Sequence, residues 1–457
     1  CGRVGKLLPV HTSVKELARV GRNWDKLKQS HIPIFKKLLP VADDSMDFYD
    51  WARTFPPARR EQLIAVRTNT MDMPELIAKS FIKREIALKD ECMIEFKDPR
   101  FIQGCPVELS AAIGPSLRIW TKQVKKRLAC TKFVPAQVRA GRQVIYTCGM
   151  SNEAVGSAFK SSIDLITEMM DLDDDIVFIE DDQSRFDLHL LGGPFSFLNS
   201  IYRRKLKPRV AALLRRGLSR GTSNCGVKYT IPFTMQSGWP DTSVGDTLVN
   251  AVMKHGIHGT GRTWISIICG DDSVTVTTRK ELEYIGGINR VVQCYSDLGM
   301  EVKAKVTSDP MEVEFCSGRF FPIGETYVLF PKPIRIMAKI CFDLKRRNTH
   351  DHIAWLRGIA ATLEHYGRID PLLGGLSVSI RREVGYGRVL FDSDWEFRQF
   401  LDGSVYSSKD DVDAYYDCHY GISSGDVIEL SKLLANQDLG YLLKNSMLHE
   451  MALHDLE

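Results

Sequence analysis

Several common signatures are missing from this 457-residue chain, and each absence removes a class of answer. Its 11 cysteines include no C-x-x-C pair and no Cys/His array, so neither a structural zinc site nor a disulfide framework is indicated, and a reducing compartment is the simpler setting. No apolar run approaches the roughly 20 residues that cross a bilayer, and no signal-peptide core opens the chain. The first residue is Cys1 rather than Met, which suggests a piece cut from a longer product. There is no internal repeat and no Gly/Ser linker, so packed subdomains around a shared sheet are expected. Gly192, Gly193 and Pro194 are followed by no Walker-type lysine and read as a helix break rather than a phosphate loop. Low-complexity tracts are absent too. With 44% hydrophobic and 26% charged residues, this is an ordered globular chain, long enough for two or three subdomains.

What is present is charge, and it is segregated. The net charge is only +4, from 61 basic and 57 acidic residues. Yet from Arg118 to Arg142 there is no acid, while Lys122, Lys125, Lys126, Arg127, Lys132 and Arg139 fall inside that stretch. A second basic cluster, "YRRKLKPRV", contrasts with "DLDDDIVFIEDDQSRFD". Any single cluster reads most simply as a solvated helix face. Basic tracks flanking a concentrated acidic centre suit a polyanion held around a cation site.

Periodicity places these stretches. "AVGSAFKSSIDLITEMM" has helical spacing, and "DIVFIEDD" reads as a strand ending in acids. "HLLGGPFSFLNSIYRRKL" is helical with an interruption at Gly-Gly-Pro, and "KYTIPFTMQSGWPDTSVGDTLVNAVMKHG" passes from strand to loop to helix. Thr242 or Ser243 is the expected cap of that helix, since either hydroxyl can accept from free backbone N–H groups. "TWISIICGDDSVTV" predicts a hairpin with Gly270, Asp271 and Asp272 at its tip, and "EVEFCSGRFF" with "TYVLFPKPI" predicts a further strand pair. From Arg335 onward the chain is mainly amphipathic helix.

Two adjacent acids in a tight turn repel, so the turn needs a reason. Gly-Asp-Asp alone is weak: a chain this long has on the order of one chance in ten of containing it by accident. An exposed turn would also explain it. The pattern gains weight from "DDQSRFD", where Asp182 ends a strand and Asp187 follows in the next turn. If the two strands are neighbours, Asp182 and the hairpin carboxylates supply hard oxygen ligands for Mg²⁺, and the metal relieves their repulsion. Paired carboxylates of this kind support two-metal phosphoryl transfer.

In this order the motifs resemble those of the RNA-dependent RNA polymerases of positive-strand RNA viruses, most closely the tombusvirus and nodavirus-like branch. "KRE" at Lys83 to Glu85 with "KDPRFIQG" is similar to the basic fingers motif. "DDQSRFD", "SGWPDTSVGDTLVN" and "CGDD" resemble the first three palm motifs, and "LGMEVKAK" and "EFCSGRF" the fourth and the primer-grip hairpin. The resemblance implies an α+β right-hand polymerase with an antiparallel palm sheet and a largely helical thumb. It divides the chain into fingers with an N-terminal extension (1–170), a first palm segment (171–192), a fingers insertion (193–228), the rest of the palm (229–312), and primer grip plus thumb (313–457).

The same resemblance assigns roles. Asp182, Asp271 and Asp272 would bind Mg²⁺, with Mn²⁺ as a substitute, and Lys303 or Lys305 would protonate the leaving group. Asp187, Ser237, Thr242 and Asp246 would read the ribose, and Lys83, Arg84 and Arg100 would hold the triphosphate. Lys122, Lys125, Lys126, Arg127 and Gly238 would contact RNA. Asp246 departs from the family, which has Asn four residues after the motif's Thr; a carboxylate accepts hydrogen bonds but cannot donate as an amide does. Implied partners are an RNA template and product strand, nucleoside triphosphates and other replicase proteins or segments. The implied setting is the host cytoplasm at membrane-bound replication complexes, with the membrane contact made by parts outside this chain. Reverse transcriptases share the palm logic but usually lack Gly before the Asp pair. A binding-only relic would have lost the carboxylates.

Overall fold

The computed structural model describes residues 13–42, 45–69, 77–83, 101–128, 134–215, 217–340, 342–391, 405–436 and 445–456. These fall into two compact units, one built from the described parts of 13–83, 101–148 and 162–308, the other from 149–161 and from 309 onward.

Helices and two sheets make up the first unit. Helix α1 (Val14–Leu38) starts where the Ser13 hydroxyl accepts from the Glu16 N–H at 3.2 Å, and it buries Val20, Trp24, Leu27 and Phe35 along one face. Then come α2 (Phe48–Ala52) and α3 (Pro57–Asn69), which begins on the second residue of the pair Pro56-Pro57. Helix α4 (Val107–Leu128) carries the basic run, followed by α5 (Pro135–Arg139), and α6 (Asn152–Met169) contributes residues to both units. Strands β1 (Ile77–Ile82) and β2 (Phe101–Gly104) join β5 (Leu218–Ser223) and β6 (Lys228–Pro232) in a four-stranded sheet ordered β2-β1-β5-β6.

The second sheet is central. It contains β3 (Val144–Tyr146), β4 (Ile176–Gln183), β7 (Trp264–Cys269), β8 (Asp272–Thr278) and β9 (Val302–Thr307), in the order β3-β7-β8-β4-β9. All its pairings are antiparallel except β3 with β7. Trp264, Ile265, Ile267 and Ile268 are fully buried, so β7 is covered on both faces and reads as a continuous apolar run rather than an alternating one. Each such side chain contributes roughly 1.5–3 kcal/mol of burial.

Three differences from the sequence reading emerge. The interruption in "HLLGGPF" separates α7 (Phe186–His189) from α8 (Gly192–Lys205), and Gly192, Gly193 and Pro194 form the first turn of α8 rather than the gap. Proline is tolerated in a first turn, where its missing N–H costs no helical bond. At Gly193 a Cβ would lie 2.4 Å from the Trp24 ring, so glycine there allows α1 and α8 to approach. After α9 (Pro208–Leu214) comes α10 (Thr242–His258), whose cap is Asp241, not Thr242 or Ser243. The Thr242 hydroxyl instead donates to the Gln236 carbonyl at 2.7 Å, and Ser243 Oγ shares a 2.7 Å hydrogen bond with the Tyr146 hydroxyl. Finally, Asp272 is the first residue of β8, and the hairpin tip is Gly270 and Asp271 alone. Helices α11 (Arg279–Tyr284) and α12 (Gly287–Asp297) complete this unit.

In the second unit β10 (Glu314–Phe315), β11 (Gly318–Ile323) and β12 (Thr326–Pro331) form the expected hairpin sheet. Helices α13 (Pro333–Lys339), α14 (Thr349–Tyr366) and α15 (Pro371–Val384) follow, then three more at Lys409–Tyr420, Ser424–Asn436 and Ser446–Leu456. Their apolar faces share one core that includes Phe321, Leu373, Tyr415 and Leu430. Asp370 caps α15, accepting from the Leu373 N–H at 3.1 Å and from the Tyr416 hydroxyl at 2.6 Å. Burial raises its carboxyl from the usual 3.8 to about 6. No helix among the described residues is long and apolar enough to cross a membrane.

Candidate active site

Strand alternation decides what the two aspartates at the end of β4 do. Asp181 is buried and Asp182 exposed, as successive residues on a strand must face opposite ways. The ladder pairs Asp181 with Ser273 on β8 and Asp182 with Lys303 on β9. One step beyond the last β4–β8 pair, Asp182 and Asp272 follow on neighbouring strands; residues opposite each other across such a ladder have Cα atoms about 5 Å apart. Asp272, Asp182 and Lys303 therefore form one row across three adjacent strands. Lys305 lies two ladder steps away, opposite Glu180 and 3.8 Å from its carboxylate, so of the two lysines it is Lys303 that stands beside Asp182.

The hairpin tip is as short as a hairpin allows. Cys269 pairs with Asp272, leaving Gly270 and Asp271 as a two-residue loop, and Gly270 has φ +71°. Positive φ at the first central position is the pattern of a II′ turn, which matches the twist of the flanking strands and favours Gly there. Asp271 is exposed at the tip.

After β4 the chain turns sharply. Arg185 takes φ 52°, in the left-handed region, and the His189 ring Nδ1 lies 3.0 Å from the Ser184 carbonyl, bracing the turn that leads into α7. Asp187 is thereby brought beside Ser237, and the two line one small pocket with Arg185, Thr234, Phe101 and Gln103. The Met235 N–H donates to the Asp187 carbonyl at 3.2 Å, and Thr242 is tied to the adjoining loop through Gln236. Asp246 is buried one turn further along α10. Gly238 meets Gly104 in a parallel bridge, where a Cβ would come within 2.8 Å of the Gln103 carbonyl oxygen.

The remaining predicted residues divide. Lys83 is exposed just after β1, whereas Arg84 and Arg100 lie outside the described residues. Lys122, Lys126 and Arg127 are exposed on α4, but Lys125 turns inward, its Nζ 5.4 Å from the centre of the Tyr146 ring, and burial lowers its pKa.

Sequence reading missed a polar set beneath the row. Thr247, Asn250 and Lys254 are enclosed on α10. The Gly270 N–H donates to Thr247 Oγ1 at 3.1 Å, and Asn250 Nδ2 donates to the carbonyls of Gly270 at 3.3 Å and Asp271 at 3.2 Å. Lys254 Nζ donates to the Asp181 carboxylate and, at 2.9 Å, to Thr275 Oγ1. Burial raises the Asp181 pKa and lowers that of Lys254, and each partner's charge opposes the shift. The available signal was three polar residues at i, i+3 and i+7, blurred because the same helix also buries Asp246, His255 and His258.

Among the described residues no three His, Cys, Asp or Glu side chains form a ready-made metal cluster. Asp182, Asp271 and Asp272 nonetheless fit Mg²⁺, which takes hard oxygen donors and is commonly held by one or two carboxylates plus water and substrate phosphates. A zinc-type N/S donor set is not what these strands present.

Comparisons with known proteins identify the family. The family model described as viral RNA-dependent RNA polymerase matches residues 78–368. An RNA-directed RNA polymerase of Pariacoto virus is 27% identical over 135 residues, 27% of this chain and 13% of that protein. One of groundnut rosette virus (strain MC1) is 30% identical over 168 residues, 35% of this chain and 20% of that protein. This chain thus aligns with only a small part of either relative's length. In fold it is similar to the crystal structure of an insertion-loop deletion mutant of a human picobirnavirus RNA-dependent RNA polymerase, with a TM-score of 0.51 and 14% identity, covering 83% of this chain and 71% of the other. With the family model spanning well over half of it, the chain belongs to the viral RNA-dependent RNA polymerases.

Proposed function

We propose that the chain carries out template-directed RNA synthesis, joining a nucleoside triphosphate to an RNA 3′ end in viral genome replication and transcription. The observation that carries this reading is the row Asp272, Asp182, Lys303 with Asp271 at the adjoining tip. In the reaction the 3′ oxygen bonds to the α-phosphorus, the bond from that phosphorus to the bridging oxygen breaks, and pyrophosphate leaves. Two Mg²⁺ ions held by Asp182, Asp271 and Asp272, with Mn²⁺ as a substitute, would supply activation of the hydroxyl and stabilisation of the leaving oxygens. Lys303 is the residue assigned to give the pyrophosphate its proton. Asp187, Ser237, Thr242 and Asp246 orient the ribose, the pocket shared by Asp187 and Ser237 being the support for that set.

Lys83, Arg84 and Arg100 are assigned to the triphosphate, where cationic groups offset charge moving onto the leaving group. Template and product are held through phosphates by the exposed cations of α4, with Gly238 offering its backbone to the strand. Lys125 is left out of that set because it points inward. In these terms residues 1–170 and 193–228 are the fingers, 171–192 and 229–312 the palm, and 313–457 the primer grip and thumb. The chain works with other replicase proteins or segments in the host cytoplasm, at membranes reached through parts outside it.

Incorporation of labelled nucleotide on an RNA template with Mg²⁺, comparing wild type with Asp182→Ala and Asp271→Ala, tests the assignment. Both variants should be inactive while retaining the wild-type unfolding transition. Incorporation that survived both substitutions would overturn it. A folded but inactive wild type would favour a protein that only binds RNA.

A further inference from the structure

The two-residue tip carrying Asp271 is closed by one ladder pair and a glycine with positive φ, which leaves its other backbone groups to find partners outside the hairpin. Water would normally take such groups in an exposed hairpin. Here helix α10 takes them. Thr247 accepts from the Gly270 N–H, and Asn250 donates to both tip carbonyls. One turn on, Lys254 holds Asp181, the residue immediately before Asp182. The three lie at i, i+3 and i+7, one stripe on a helix whose other buried positions include Val244, Leu248, Val249, Val252 and Met253.

Packing alone does not account for that stripe. Asn250 has 0% of its surface exposed, and its Oδ1 has no hydrogen-bond partner among the described residues. A buried, unmatched acceptor is costly, so a leucine of similar size would suit the core better unless the two amide donations matter. Reversing the amide would point its oxygen at two carbonyls, so the backbone of the tip fixes its orientation.

We infer that Thr247 and Asn250 are positioning residues that fix the Gly270–Asp271 tip, and with it the Asp271 carboxylate, while Lys254 fixes the strand that presents Asp182. The inference rests on the polymerase reading and adds to it that both metal-bearing elements are referenced to one helix. Because α10 carries Thr242 and Asp246, two of the four residues assigned to the ribose belong to the same helix, and nucleotide and metal carboxylates share a common frame. Groups that support metal ligands from behind typically change affinity or rate by about 10–100-fold when removed.

The test uses the whole chain with Thr247→Val, Asn250→Leu, Thr247→Ser and Asp271→Ala. Mn²⁺ binding is followed by the loss of free-ion electron paramagnetic resonance signal, without nucleotide, alongside thermal unfolding and the kcat and KM of incorporation. Thr247→Val and Asn250→Leu should weaken Mn²⁺ binding about tenfold and lower kcat about 10–100-fold, with KM for nucleotide changed less than about threefold. Thr247→Ser keeps the hydroxyl and should behave as wild type. Should Asn250→Leu fail to fold, Thr247→Val, which preserves shape, decides. Mn²⁺ affinity and kcat of folded Thr247→Val within about twofold of wild type would overturn the inference while leaving the polymerase reading intact. By contrast, a wild type that incorporates nothing and binds Mn²⁺ no better than Asp271→Ala would overturn the polymerase reading itself.

Discussion

Replacing Lys254 with methionine should be among the most damaging single changes in the first unit, although the residue touches no substrate. Lys254 and Asp181 are both 0% exposed at their side chains, so removal of the ammonium leaves a carboxylate with no water to solvate it. Breaking such a pair from one side costs about 3–5 kcal/mol, a large share of the roughly 5–15 kcal/mol that holds a typical domain together. Ser273 Oγ, 3.5 Å from Asp181, recovers only part of this, and Thr275 keeps its 2.6 Å bond to Ser266. The paired change Asp181→Leu with Lys254→Met removes both charges and should return stability to within about 1 kcal/mol of wild type or above it, because desolvation of the pair offsets most of its attraction. Urea unfolding of wild type, both single variants and the double variant gives the coupling directly, expected at about 3 kcal/mol or more. If Lys254→Met lost less than about 1 kcal/mol, or the double variant were no better than the single ones, the premise of a dry, isolated pair would be wrong. The double variant should also remain slow in nucleotide incorporation, since an apolar contact does not aim β4 as a charged hydrogen bond does.

Other outcomes follow from the same description. Asp370 has its carboxyl raised to about 6, so the folded state binds that proton more tightly than the unfolded chain. Its contribution is present at low pH and is lost as pH rises from about 4 through about 6, worth at most roughly 3 kcal/mol. Asp370→Asn, which can still cap α15, should flatten that part of the stability profile of the second unit; an unchanged slope would show that Asp370 does not titrate there. Replacing Lys122, Lys126 and Arg127 together by Ala should weaken RNA binding without regard to sequence and reduce the slope of log affinity against log salt by roughly 2, measured by filter binding between 50 and 200 mM salt. An unaltered slope would place the RNA elsewhere. Asp246→Asn should keep incorporation activity; a folded, inactive variant would show that this chain depends on the carboxylate.

Legibility in the sequence tracked how local each feature is. The hairpin of Trp264 to Thr278, the strand Ile176–Gln183 and the amphipathic C-terminal helices were readable because apolar periodicity and a Gly at the turn specify them within a few residues. The cap of α10 was misread because Thr242 has the right chemistry, but its hydroxyl is engaged by a carbonyl six residues earlier. Asn250 and Lys254 were passed over because their partners lie 20 to 73 residues away, and no local pattern says that a helix face will meet the underside of a turn. Asp182 could be chosen over Asp181 through motif resemblance, whereas the physical basis of that choice, which face of β4 is packed, needs the tertiary structure.

Asp181 and Asp182 are the same residue type one position apart, and only the parity of the strand separates their fates. One carboxylate is sealed against an ammonium inside the fold; the other faces solvent beside Lys303 and Asp272. A slip of β4 by one residue would put Asp181 where Asp182 now stands and Glu180 in the sealed position, offering an equally acidic edge with the wrong neighbours. Lys254 would still meet a carboxylate, so it does not choose the register; the buried Val177, Phe178 and Ile179 do, and the ion pair holds the strand once they have packed. A mutational scan of these neighbours should accordingly show two intolerant positions with different failures, misfolded protein at Asp181 and folded, inert protein at Asp182.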